Sequence, residues 1–264
     1  MQPFLSPGTL IGLLFFLIPA AVFAATVGAL RLGHRLAAQR AARDEPPLEG
    51  VRTIEAALFA LFGLLIAFSF SGAQSRLDAR RKMIVEEANA IGTAYLRMDL
   101  LPEPERATLK DRFRSYLDAR IGTYRKMMDA DASRAQRERA RELQREIWDR
   151  AIPAAARAVG TPATQLVVPA LNEMIDITTA REAALRTHVP IVVFALLGLM
   201  SLACGVLAGM GMAKARQPSR FHVLMFAGTM ALTAYVILNL EFPRLGFVRF
   251  GLDEMLIQVR ADMG

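Results

Sequence analysis

Residues 1–30, 56–75, 187–213 and 221–240 contain no Asp, Glu, Lys or Arg. Each stretch is long enough to supply the roughly 20 residues with which a helix crosses about 30 Å of hydrocarbon. Four spanning helices are therefore predicted, at about 9–33, 53–75, 190–212 and 221–240. The composition fits this segregation. The chain is 53% hydrophobic yet 22% charged, with a mean hydropathy of +0.30. The small residues of AAVFAA in the first stretch have the look of a leader's cleavage site. However, MQPFLSPG ahead of them carries no basic residue and the apolar run is too long for a leader core, so this stretch reads as a retained membrane helix.

The second helix does not stop at the membrane. GLLIAFSFSGAQSRLDARRKMIVEEAN, residues 63–89, passes from apolar to densely charged sequence with no Pro to interrupt it. Its charged half opens a hydrophilic domain at 76–186, expected outside the lipid and broken at Pro102, Pro104, Pro153 and Pro162. Between the breaks Ala, Leu, Arg, Glu and Gln dominate, which are good helix formers, and no alternating strand pattern occurs. The fold class is all-α. In VEEANAIGTAYLR, Val85, Ala88, Ile91 and Tyr95 give an apolar face suited to packing in a bundle. Glu86 and Glu87 read as solvated or paired carboxylates. The breaker EPPLEG separates the first two helices, and the tail 241–264, broken by Pro243, Gly246 and Gly251, reads as an amphipathic segment lying at an interface.

The net charge of +7 and pI of about 10.1 would suggest nucleic acid in a soluble protein. No nucleic-acid-binding pattern accompanies them, and the basic residues flank apolar stretches, where they anchor helices and attract anions. Arg31, Arg35, Arg40, Arg43 and Arg52 crowd the first short loop, and Lys214, Arg216 and Arg220 the last. Counting short loops puts both in the cytoplasm and the 76–186 domain outside. Arg76, Arg80, Arg81 and Lys82, beside the membrane on the other face, pull the opposite way.

One face of the second helix carries Ala57, Ala60, Leu61, Leu64, Phe68, Ser71, Gly72 and Ser75, spaced by three and four. It runs from apolar to small and polar. Such a stripe packs helices closely, with Ser hydroxyls bonding across or back to their own turn. The sharper reading is a helix repeated around an axis, where Leu64 and Phe68 would form apolar rings that gate by dewetting. In the third helix Ser201, Gly205 and Gly209, four apart, form a packing face of small residues. Glu55, Asn239 and Glu241 stand at helix ends. No phosphate loop, nucleophile elbow, zincin or dinucleotide fingerprint is present, so no catalytic residue and no cofactor is assigned. Cys204 is alone, and His34, His188 and His222 match no metal spacing, so no metal site is assigned either.

Three pieces, AFSFSGAQSRLDARRKMIVEEANAIGTAYLR (67–97), ALNEMIDITTAREAALR (170–186) and LNLEFPRLGFVRF (238–250), resemble the bestrophin-like family of bacterial and plant membrane proteins. The order of elements is similar too. More distantly, the chain resembles the bestrophins themselves, which are homopentameric anion channels with the pore lined by the second membrane helix. Ala67-Phe68 is similar to their Gly-Phe step, and Arg76-Leu77-Asp78-Ala79-Arg80 to the Arg-containing run that follows it. The resemblance implies a multi-pass protein of the bacterial inner membrane. It further implies a homo-oligomer, a pentamer, that conducts anions such as chloride across the lipid bilayer. Ala60, Leu64 and Phe68 would form the constriction, and Ser71, Ser75 and Arg76 the pore exit. It also implies a cytoplasmic 76–186 domain. The competing expectation is a non-conducting scaffold or sensor whose helical domain binds a partner. A channel requires a closed ring with the second helix at its axis, whereas a scaffold buries that helix against the third and fourth helices of its own chain.

Overall fold

The structure is a computed structural model that describes residues 7–43, 51–126, 129–158, 162–185, 187–212, 219–242 and 254–264. Among these residues there is no strand. Eight α-helices follow one another: α1 (Pro7–Ala42), α2 (Val51–Arg97), α3 (Glu105–Arg125), α4 (Ala130–Arg157), α5 (Ala163–Ala184), α6 (Ile191–Gly211), α7 (Arg220–Glu241) and α8 (Glu254–Asp262). A single 3-10 turn, Met98–Leu100, ends α2. Four helices are long and apolar enough to cross a membrane, within Phe15–Ala42, Thr53–Leu100, Ile191–Gly211 and Arg220–Glu241. The chain divides into two compact units. One holds Ile11–Leu77 and His188–Arg249; the other holds Asp78–Thr187 with both chain ends, Met1–Leu10 and Phe250–Gly264. The continuous helix α2 belongs to both.

In the apolar unit, close approach of backbones does much of the packing. Gly33 of α1 meets α6 so tightly that a Cβ built on it would lie 1.9 Å from the carbonyl oxygen of Val206. A Cβ on Gly209 would lie 2.1 Å from that of Leu30, and one on Gly205 3.0 Å from the Ala29 Cβ. The Thr26 and Ser201 hydroxyls stand 3.5 Å apart on the same seam. Phe62 of α2 packs with Met200 and Cys204 of α6, flanked by Phe226 and Met230 of α7. Phe15 and Tyr235 meet edge-on at 5.7 Å.

The second unit is built around large side chains. Phe113, Tyr116, Leu109 and Leu117 of α3 are fully buried with Leu143 and Ile147 of α4 and Leu171 and Met174 of α5. Each such side chain contributes about 1.5–3 kcal/mol by leaving water. The Asp129 carboxylate accepts from the Asp131 and Ala132 N–H groups at 3.1 and 3.0 Å and so starts α4.

Several boundaries differ from the sequence reading. α1 runs to Ala42 rather than ending near residue 33, because RLGHRLAAQRAA is rich in helix formers and holds no breaker. α4 continues through Pro153 to Arg157. Pro153 removes one helical hydrogen bond, but Ile147, Ala151 and Ala154 on either side are fully buried and hold the turn in the core. The face of α2 that enters this core is set by Ala88, Ile91, Ala94 and Tyr95; Val85 is exposed. The described end of the tail does not present an apolar face outward. Leu256 of α8 is fully buried, Met263 nearly so, and Arg260 reaches Asp118 of α3 at 2.9 Å. The Met263 carbonyl accepts from Tyr95 Oη at 3.0 Å and from Arg114 Nη2 at 2.8 Å. EPPLEG, the loop with Lys214 and Arg216, and Pro243, Gly246 and Gly251 lie outside the described residues.

Candidate functional site

α2 has two unlike faces in the apolar unit. Toward α6 and α7 it turns Phe62, 5% exposed, and farther along Ala73 and Leu77 are buried within the chain. On the stripe, Leu64 is 50% exposed and Phe68 65%. Ala57, Ala60, Leu61, Ser71 and Ser75 are exposed as well, and only Gly72 is partly covered. The helical period explains the division, since residues three and four apart share a face and those two apart do not. Helix α2 thus packs against α6 and α7 of its own chain, but with the face opposite the stripe.

The stripe changes character along its length. Ala60, Leu64 and Phe68 offer only carbon. Ser71 and Ser75 present hydroxyls that have no hydrogen-bond partner among the described residues. Bare hydroxyls are costly against hydrocarbon and comfortable against water or another polar surface.

Arg76 sits at the end of this polar segment but points to one side. Its Nε donates to Glu241 Oε2 at 2.9 Å. The other Glu241 oxygen accepts from the Val189 N–H at 3.2 Å and lies 3.3 Å from His188 Nδ1. Glu241 is buried, so one carboxylate at the end of α7 ties together the middle of α2 and the segment leading into α6. Gly72 makes room for the bend of Arg76: a Cβ there would lie 3.2 Å from its Nη1. The sequence marked Arg76, left Glu241 as a helix-end residue and gave His188 no role. Their partners lie 165 and 53 positions from Glu241, too far apart for any local spacing to reveal them.

Ser201, Gly205 and Gly209 lie on the α1–α6 seam, away from the stripe. They allow contact and carry no chemistry.

In the other unit α2 carries Glu87, which is fully buried. Arg120 of α3 donates to it from Nε at 2.7 Å, and Arg181 of α5 pairs with its second oxygen. The Arg181 guanidinium lies over the Tyr124 ring, 4.4 Å from its centroid. Burial of a carboxylate is tolerable only when it is paired in this way. Sequence reasoning noted Glu87 without finding its partners, which are again remote. Among the described residues no group of His, Cys, Asp and Glu is placed to hold a metal ion.

Comparison with known proteins bears on both units. A crystal structure of a bacterial bestrophin homologue from Klebsiella pneumoniae, a point variant, matches with a TM-score of 0.69 at 14% identity, covering 93% of this chain and 98% of that one. A second variant of a Klebsiella pneumoniae bestrophin homologue matches at 0.68 and 13%, covering 92% and 96%. One phased on zinc matches at 0.67 and 16%, covering 95% and 96%. At these identities the likeness is one of fold. None of the curated proteins matches. The family model of the Bestrophin-like domain matches residues 20–250, most of both units, and the chain belongs to the bestrophin-like family.

Proposed function

We propose that the chain is a subunit of an oligomeric ion channel in the bacterial inner membrane, with α2 lining the pore. The observation that carries this reading is the exposed stripe on α2. Its own chain leaves Leu64 and Phe68 uncovered, and the same face ends in two unpartnered Ser hydroxyls. Around a symmetry axis, as in the pentamer the family resemblance implies, Leu64 and Phe68 would close apolar rings, a constriction that passes ions only when wetted. Ala60 is the narrowest contributor to that face and Ser71, Ser75 and Arg76 mark its exit. Anions are the proposed permeant species. The chain's charge of +7 raises their local concentration at a basic mouth. On this reading α2 continues out of the apolar unit because it joins constriction to vestibule, the helices of the 78–187 unit forming the latter.

Chloride efflux from liposomes carrying the purified protein tests the proposal. Phe68→Ala and Leu64→Ala should each alter the flux, or open a flux that the wild type withholds. If no variant conducts while the oligomer stays intact, the chain is the non-conducting scaffold and its helical unit is where a partner should be sought.

A further inference from the structure

We infer that a cavity between α3, α4 and α5 is a binding site for an α-amino acid with an apolar side chain, taken as the zwitterion. The cavity measures about 520 Å³, well within the range of roughly 300–1,000 Å³ typical of small-molecule sites. Its charges decide what it can hold. Arg120 and Arg141 line it, but both are matched: Glu182, also on the wall, accepts from Arg141 at 2.7 Å and stands 3.7 Å from Arg120. Arg120 is further neutralised by Glu87.

Two lining charges remain. Arg145 forms no ion pair among the described residues; its Nε only reaches the Arg141 carbonyl, at 3.4 Å. Asp149, four residues on along α4, has no cationic partner among them. Residues four apart on a helix share a face, so both line the one cavity, and no ion pair joins them among the described residues. A simple anion would suffer from Asp149. A simple cation would suffer from Arg145. A carboxylate and an ammonium borne on one carbon satisfy Arg145 and Asp149 together. Trp148, beside Asp149 in sequence, and Ile175 of α5 line the same space and give an apolar side chain its wall. The site does not depend on the channel reading, because its test reads binding. It does touch α2, since the Arg120 that lines it also holds Glu87.

Trp148 is the only tryptophan in the chain and lines this cavity, so its emission has one source and that source is at the site. The probe is L-leucine, titrated into the full-length protein in detergent with fluorescence and calorimetry read together. Isocaproate and isoamylamine, which each keep one charge of leucine, are titrated beside it. Arg145→Ala and Asp149→Ala remove unmatched surface charges and should leave the elution profile and the unfolding midpoint of the wild type. Leucine should give a saturable response that weakens at least about tenfold in either variant, as expected for loss of a charge-assisted hydrogen bond. Each single-charge analogue should bind comparably weakly. Three results would overturn the assignment: no saturable response to leucine by either method, variants that bind like the wild type, or an analogue that binds as well as leucine.

Discussion

In the unit formed by α3, α4, α5 and α8 the fully buried side chains are Phe113, Tyr116, Met174 and their neighbours, whereas on the α1–α6 seam the closest contacts belong to Gly33, Gly205 and Gly209. The first pattern is that of a core assembled by expelling water, where large apolar groups contribute most. The second is that of helices in a solvent as apolar as their own side chains, where burying a Leu gains little and close backbone approach gains contact. Among the described residues each unit also keeps one buried carboxylate, Glu87 in the first and Glu241 in the second. Both use it to join helices that are distant in sequence. What separates the units is therefore the solvent each packs against, and not the helical propensity they share.

That contrast can be broken from either side. The largest effect should come from Glu87→Ala, which removes the buried carboxylate that Arg120 and Arg181 share. A loss of about 3–5 kcal/mol is expected, read from denaturant unfolding followed by Trp148 emission. A smaller loss would mean that the cluster is solvated and the core less dry than its burial implies. Next are the seam glycines. Gly33→Ala and Gly209→Ala each place a Cβ near 2 Å from a carbonyl oxygen of the facing helix, and should cost about 1–3 kcal/mol by overpacking. Gly63→Ala and Gly198→Ala, where a Cβ meets nothing within 4 Å, should leave the thermal stability in detergent unchanged or slightly higher. If all four behave alike, the seam is not what holds α1 to α6. Thr26→Val should cost less, about 0.6 kcal/mol, the usual size of a hydrogen bond between membrane helices.

The smallest effect is one of pH, on the water-packed side. The side-chain hydrogen bond from Arg106, helped by the Ala107 N–H, holds the exposed Glu103 carboxyl below its usual range. A depressed native pKa adds stability above the unfolded pKa, and that stability disappears as pH falls through the native value. Glu103→Gln should therefore lower stability slightly at neutral pH and not at all in strong acid. A difference that persists in acid would assign the effect to something other than this charge.

The contrast also explains what could be read from the sequence. Charge-free stretches mark membrane-grade helices because lipid imposes a length and a composition that no local detail overrides. The stripes on α2 and α6 follow from helical period alone. Pro153 misled because a breaker inside a well-anchored turn is overruled by tertiary burial, which sequence does not display. The tail was legible only as amphipathic: such a helix fits a lipid interface or a protein groove equally well, and at its described end Leu256 and Met263 are buried within the chain. The carboxylates were the least legible. Glu87 finds its cations 33 and 94 positions away, and nothing in the residues around it announces that they will meet.

The most direct test of the central claim, that the uncovered stripe of α2 faces an aqueous path, is thiol accessibility. In a Cys204→Ala background, which removes the only native thiol, single cysteines replace Ser71, Ser75 and, on the buried face, Ala73. The protein in sealed vesicles is exposed to a membrane-impermeant anionic methanethiosulfonate. Ser71→Cys and Ser75→Cys should be modified in the intact oligomer while Ala73→Cys is protected. Stripe positions as unreactive as Ala73→Cys would place that face against lipid or protein and end the pore assignment.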